Sequence, residues 1–203
     1  MLNHQQIMQF LKLSSALCYL FALVMGQDIT GSQVSKGEVL FVGDTTIERG
    51  ASWSIINGPV QTFVGNLNNY GSFYVSTNDP VLSLKITFLD ALKKISNTGK
   101  IVFQSTNGIL SPKFKLSNTA FENSGSIWFN SVNSWSKNKY KILAPVWNND
   151  VTGNLYFYSD KISKNTVKLG GLLSTITNEG QICLVNQVWK QTTKVRGAGC
   201  VDV

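Results

Sequence analysis

Ile176-Thr177-Asn178-Glu179-Gly180-Gln181-Ile182-Cys183-Leu184 decides the fold, because the same phrase returns upstream. Ile95-Ser96-Asn97-Thr98-Gly99-Lys100-Ile101-Val102-Phe103 and Phe121-Glu122-Asn123-Ser124-Gly125-Ser126-Ile127-Trp128-Phe129 have the same form. Trp147 to Phe157 carries it with two extra residues before Gly153, Asn69 to Val75 is an earlier copy, and Gly50 to Ile55 a weaker one. The glycines at 50, 71, 99, 125, 153 and 180 are separated by 21, 28, 26, 28 and 27 residues. A period this regular marks a repeat architecture. Within each copy, Asn-x-Gly reads as a sharp turn, because Asn and Gly tolerate positive φ. The residues that follow alternate apolar and variable, as in a half-buried strand. The apolar pairs are Phe73/Val75, Ile101/Phe103, Ile127/Phe129, Leu155/Phe157 and Ile182/Leu184. One copy cannot bury such a face, but stacked copies form a continuous core. The expected fold is all-β: a right-handed parallel β-helix of about six rungs, each roughly 4.8 Å above the last.

Working outward, residues 1–26 read as a secretory signal peptide. Lys12 precedes the apolar run Ala16–Met25, which is too short to span a bilayer comfortably, and Gly26 offers a cleavage point before Gln27. Residues 27–203 then form one β-helical domain. The mature chain would lose its single histidine, His4, and Cys18, keeping 17 Lys+Arg against 11 Asp+Glu for a net charge of +6. Second strands are expected at Leu82–Phe88, Lys113–Leu116, Tyr140–Leu143 and Thr166–Leu169, and a short helix at Leu89–Ile95.

Without histidine there is no Ser-His or Cys-His pair and no His-bearing metal site. No phosphate-cradling glycine cluster is present either. Catalytic residues, metals and cofactors are therefore expected to be none. One carboxylate pair competes with that expectation. Asp150 and Glu179 follow the turn asparagines of consecutive copies, and in register they would approach to about 5 Å, the spacing of a retaining glycosidase. The bland reading makes both exposed turn residues. The variable strand positions form a column of Tyr74, Val102, Trp128, Tyr156 and Cys183; its aromatics Tyr74, Trp128 and Tyr156 are the candidate binding surface, unless a loop covers them. Asn69, Asn97, Asn123, Asn149 and Asn178 should stack into a ladder at one corner. Cys183 and Cys200, an even pair in a secreted chain, are expected to form a disulfide contributing about 3 kcal/mol. The lysines look scattered, which points away from nucleic acid and toward solvated edges or weak attraction to anionic polymers. No Asn-x-Ser/Thr sequon is present.

Two phrases carry a resemblance. Thr175 to Leu184, followed by Lys194-Val195-Arg196-Gly197-Ala198-Gly199-Cys200-Val201, resembles the N-terminal domain of the hyphally regulated cell wall protein (Hyr/Iff) family of Candida-type yeasts. Gly43 to Ile55 is similar to that family's early repeat. The resemblance implies a secreted fungal cell-wall protein of adhesin type. Such a protein would bind other cells, host surfaces or wall glycans and sit on a Ser/Thr-rich stalk with a GPI anchor. It brings no catalytic residues, and it supports the Cys183–Cys200 pairing. It also implies that the domain continues past Val203, so an uncapped last rung would favour self-association. A β-helical polysaccharide-cleaving enzyme and an inert structural wall component are the rival readings.

Overall fold

The structure is a computed structural model. It describes residues 22–79, 84–89, 93–106, 113–116, 120–132, 139–142, 144–160, 166–170, 174–190 and 193–202. Three eight-stranded parallel sheets wrap one core. The first stacks β1 (Ala22–Met25), β4 (Val39–Val42), β7 (Val60–Val64), β10 (Lys85–Phe88), β13 (Lys113–Leu116), β16 (Lys139–Ile142), β19 (Thr166–Leu169) and β22 (Val188–Trp189). The second stacks β2 (Asp28–Ile29), β5 (Thr45–Ile47), β8 (Leu67–Asn69), β11 (Lys94–Asn97), β14 (Ala120–Asn123), β17 (Val146–Asn149), β20 (Thr175–Asn178) and β23 (Val195–Arg196). The third stacks β3 (Ser32–Lys36), β6 (Ser52–Ile56), β9 (Ser72–Thr77), β12 (Lys100–Thr106), β15 (Ser126–Val132), β18 (Asn154–Ser159), β21 (Gln181–Val185) and β24 (Cys200–Asp202). Each strand pairs with the one a full lap earlier and a full lap later, which is a parallel β-helix.

Eight strands per sheet make eight laps, two more than the phrase count. The additional laps turn at Gly31 and Gly199, where the asparagine of the phrase is missing. The short helix expected at Leu89–Ile95 is not formed where the chain is described: Lys94 and Ile95 belong to β11, paired with Ala120 and Phe121. Tertiary pairing overrides a local helical preference there. Residues 90–92 of that expectation lie outside the described residues. Of the leader expected at residues 1–26, residues 1–21 also lie outside, Ala22–Met25 pair with Val39–Val42, and Gly26 N donates to Val42 O at 2.8 Å. In the chain as given, this apolar segment closes the edge that β4 would otherwise leave open. Among the described residues no helix is long and apolar enough to cross a membrane.

The core follows the period-2 pattern. All ten residues of the five apolar pairs are buried, from Phe73 at 0% exposure to Leu184 at 6%. Stacking in register places like on like. Phe41, Phe63 and Phe88 form a stacked column with centroids 4.8 and 4.6 Å apart, and Phe129 lies on Phe157 at 4.8 Å. Trp53 is fully buried and donates from Nε1 to Ser35 Oγ at 3.1 Å.

The corner glycines need a different explanation from the one the turn suggests. Positive φ occurs at Gly50 and at Asn57 and Asn186, but not at Gly71, Gly99, Gly125, Gly153 or Gly180. Those five are glycine because of the lap beneath. A Cβ on Gly99 would collide with the carbonyl oxygen of Gly71, and one on Gly125 with that of Gly99. The same carbonyls accept the next lap's first strand bonds, Lys100 N to Gly71 O at 2.8 Å and Ser126 N to Gly99 O at 2.9 Å.

Candidate functional site

The asparagine ladder is present and buried, with all five side chains at 0–1% exposure. Asn69 Nδ2 donates to Asn97 Oδ1 at 2.7 Å, Asn97 to Asn123 at 2.8 Å, Asn123 to Asn149 at 2.7 Å and Asn149 to Asn178 at 2.8 Å. Asn178 Nδ2 ends the row on the carbonyl of Cys200 at 3.2 Å. Beneath Asn69 stands Ile47, which has nothing to donate, so Asn69 Oδ1 is buried without a partner. With every amide enclosed, this ladder is a structural spine, and no ligand reaches it. A second buried polar row, Thr77, Ser105, Ser131 and Ser159, follows the third sheet's register at its far edge. Sequence reading missed it, although each hydroxyl stands two residues beyond the second inward residue of its phrase.

The outward face of the third sheet holds the candidate surface. Tyr74, Val102, Trp128, Tyr156 and Cys183 are consecutive register partners on β9, β12, β15, β18 and β21. All five are half-buried. Trp128 and Tyr156 stack with centroids 3.9 Å apart and planes 17° apart. The other face of the Trp128 ring is turned toward the Val102 lap. Val102 is short, so the column steps down between Trp128 and Tyr74, two strand spacings or about 9.6 Å apart. Lys100 Nζ stands 5.8 Å from the Tyr74 ring centroid. Hydroxyls and amides flank the column, with Ser72, Ser126 and Asn154 on one side and Ser76, Gln104 and Asn130 on the other. Lys100 is the single charged residue among the outward positions of these five strands. A stepped, nearly neutral strip of rings, amides and hydroxyls suits a polyhydroxylated ligand: rings meet C–H faces, and amides meet hydroxyls.

The carboxylate pair engages other groups. Asp150 accepts from Val151 N at 2.8 Å and from Ser124 Oγ at 3.2 Å in the preceding lap, whereas Glu179 accepts from Ala198 N at 3.1 Å in the following one. Both are exposed corner residues. The two inserted residues bulge outward, and Asn149 stays in register with Asn123 and Asn178. Among the described residues no three His, Cys, Asp or Glu side chains gather where they would hold a metal.

Cys183 and Cys200 are unbridged in this structure. Cys183 stands opposite Asp202, and Cys200 opposite Gln181, which makes the cysteines a diagonal pair on neighbouring strands. Diagonal partners lie about 7–8 Å apart, beyond the reach of a disulfide without a shift of β24. Burial pushes the Cys183 thiol up, and the nearby Asp202 and Cys200 add to it. On the second sheet, Asp44 is held below the usual carboxylate range by the Asn66 backbone N–H at 2.9 Å and Asn66 Nδ2 at 2.8 Å, with Lys93 adding to the effect.

Comparison with known proteins identifies the family. Residues 17–203 match the family model for the hyphally regulated cell wall protein N-terminal domain. The chain is 39% identical over 181 residues to cell wall protein RBR3 of Candida albicans, covering 87% of this chain and 11% of that protein. It is 34% identical over 203 residues to hyphally regulated cell wall protein 4 of the same yeast, covering 98% of this chain and 16% of that protein. Cell wall protein IFF9 is 36% identical over 198 residues, with 96% and 20% covered. The chain therefore spans a fifth or less of the length of these relatives. No solved structure matches it. The family match, which runs from residue 17 to the last residue, places this coil of glycine corners and five buried asparagines in the hyphally regulated cell wall protein N-terminal domain family.

Proposed function

We propose that this chain is a secreted cell-wall surface module of adhesin type, which binds a neutral glycan on the outward face of its third sheet without catalysis. The observation that carries this reading is the step at Val102 between Tyr74 and Trp128, flanked by amides and hydroxyls. Tyr156 braces the Trp128 ring from behind, so the ring is pre-ordered for a sugar placed in the step. The relatives are named as cell wall proteins, which supports display at the cell surface. The separate engagements of Asp150 and Glu179 weigh against the polysaccharide-cleaving alternative.

The test is a glycan array read with the native protein, Trp128→Ala and Val102→Trp. Loss of one stacked ring removes about 1 kcal/mol beyond buried area, so Trp128→Ala should weaken binding at least fivefold. Val102→Trp fills the step and should abolish binding while leaving the strand intact. Undiminished binding by both variants would eliminate this face. Chain shortening of any bound glycan, seen by chromatography, would return the enzyme reading.

A further inference from the structure

The lysines that look scattered in sequence are gathered by the coil onto one face. In the first sheet, Lys85, Lys113 and Lys139 are consecutive register partners. Two positions along, Thr87, Lys115, Lys141 and Lys168 form a second register row. Lys190 N bonds to Val167 O at 3.0 Å, which sets Lys190 beside Lys168 at the end of that row. Ile86, Phe88, Val167 and Leu169 on β10 and β19 are buried, so alternation puts Lys85 and Lys168 on the outer face, and Lys113, Lys115, Lys139 and Lys141 occupy the same two register rows. Seven of the chain's 18 Lys+Arg occupy two adjoining rows across five laps, and none of the strands in those laps of the sheet contains an acidic residue. Neighbours in a row are about 4.8 Å apart, and the rows about 6.6 Å.

Edge protection does not account for this. β10, β13, β16 and β19 are interior strands, paired on both sides, whereas lysines that deter aggregation belong on edges. Like charges directly opposite each other on neighbouring strands are destabilising. The ion pairs Lys93–Asp44 at 3.5 Å and Lys94–Glu122 at 2.9 Å lie along the second sheet and do nothing to relieve the first. The partner that fits is therefore an external chain of regularly spaced anions laid along the coil axis.

We propose that the outer face of the first sheet binds an acidic polysaccharide, one carrying phosphate or sulfate groups, independently of the aromatic step on the third sheet. A polysaccharide is favoured over nucleic acid by the flatness of a single sheet, which offers no element to enter a groove. It is also favoured by the wall membership of the family.

Fluorescence anisotropy with labelled dextran sulfate, phosphorylated mannan, uncharged dextran and duplex DNA tests this, with melting measured alongside. The two acidic glycans should bind and raise the melting temperature, and uncharged dextran should do neither. Lys115→Gln, Lys141→Gln and Lys168→Gln together should flatten the log–log salt dependence by about two, at roughly 0.7 for each lysine–anion pair removed. At tenfold below molar salt the same slope gives a loss of roughly a hundredfold. A charge-matched control replaces Lys36, Arg49 and Lys194, all exposed and elsewhere, by Gln, and should change binding less than about threefold. Lys→Arg at the three face positions should keep the affinity. The proposal is overturned if the two neutralised triples weaken binding equally, if the Arg triple loses it, or if DNA binds more tightly than both acidic glycans.

Discussion

Replacing Asn123 by Leu should cost far more than the same change at Asn69, although both side chains are buried to within 1% and lie in one register row. Asn123 accepts from Asn97 and donates to Asn149 Oδ1, so Leu there orphans the buried Asn149 oxygen and leaves Asn97 Nδ2 only its longer bonds to Gly99 O and Ser126 O at 3.3 and 3.4 Å. Asn69 has a ladder partner on only one side. Leu there orphans Asn97 Oδ1 but also deletes Asn69 Oδ1, which is already unpaired. The net change is one orphaned acceptor at position 123 and none at 69. Each buried orphan costs about 1–3 kcal/mol. Leu contributes the same added apolar burial at both sites, so the difference between the variants isolates the ladder at roughly 1–3 kcal/mol. For a domain of this size, each kcal/mol moves the melting temperature by about 2–4 °C. Urea unfolding followed by tryptophan fluorescence, with thermal melts in parallel, would measure the gap. Equal destabilisation of the two variants would refute the claim that this row is stabilised one amide bond at a time.

Gly125→Ala should destabilise by about 1–3 kcal/mol, because its Cβ drives apart Gly125 and the Gly99 carbonyl; a lower denaturant midpoint at unchanged m-value checks it. Trp147→Phe should be milder than Trp53→Phe by about 1 kcal/mol in denaturant titrations, since Trp147 Nε1 is buried without an acceptor whereas Trp53 Nε1 has Ser35. Asp44 is held below its ordinary range, so its contribution to stability is full above the usual carboxylate value and fades as pH falls through the depressed one. Asn66→Ala should raise that titration toward the ordinary value in carboxyl NMR and flatten the acid limb of the stability profile. An oxidised, secreted sample should show the Cys183–Cys200 bridge as a mass about 2 Da lighter than its reduced form, with β24 drawn along β21 by the bond; a persistent pair of alkylatable thiols would keep the diagonal arrangement seen here.

The fold was legible because the phrase repeats, and repetition at one lap fixes which residues become neighbours. Phe129 on Phe157 and the asparagine row both follow from that single fact. The glycine corners were legible in position but not in cause, since a lone copy suggests a turn conformation and the real constraint is the carbonyl one lap below. The end laps escape the phrase because Gly31 and Gly199 lack the asparagine, and after Gly31 the polar Gln33 and Ser35 stand where Trp53 and Ile55 carry the apolar pair one lap on. The binding column can be ordered from sequence, but the Trp128–Tyr156 stack and the step at Val102 need side-chain geometry. The lysine face is hidden for a simpler reason. Lys85, Lys113 and Lys139 are spaced by 28 and 26 residues, the same intervals that separate glycines 71, 99 and 125. A linear reading sets each lysine beside its sequence neighbours and so conceals its membership of the period.

The parallel winding also determines how such a chain can be built. No strand waits for a partner from the far end of the sequence: β9 completes against β6, then offers its free side to β12. Each closure spans one lap, so the entropic cost of loop formation is nearly the same at every step. A chain delivered amino terminus first can therefore lay down each turn on the one before it, with the growing end always serving as the template for the next.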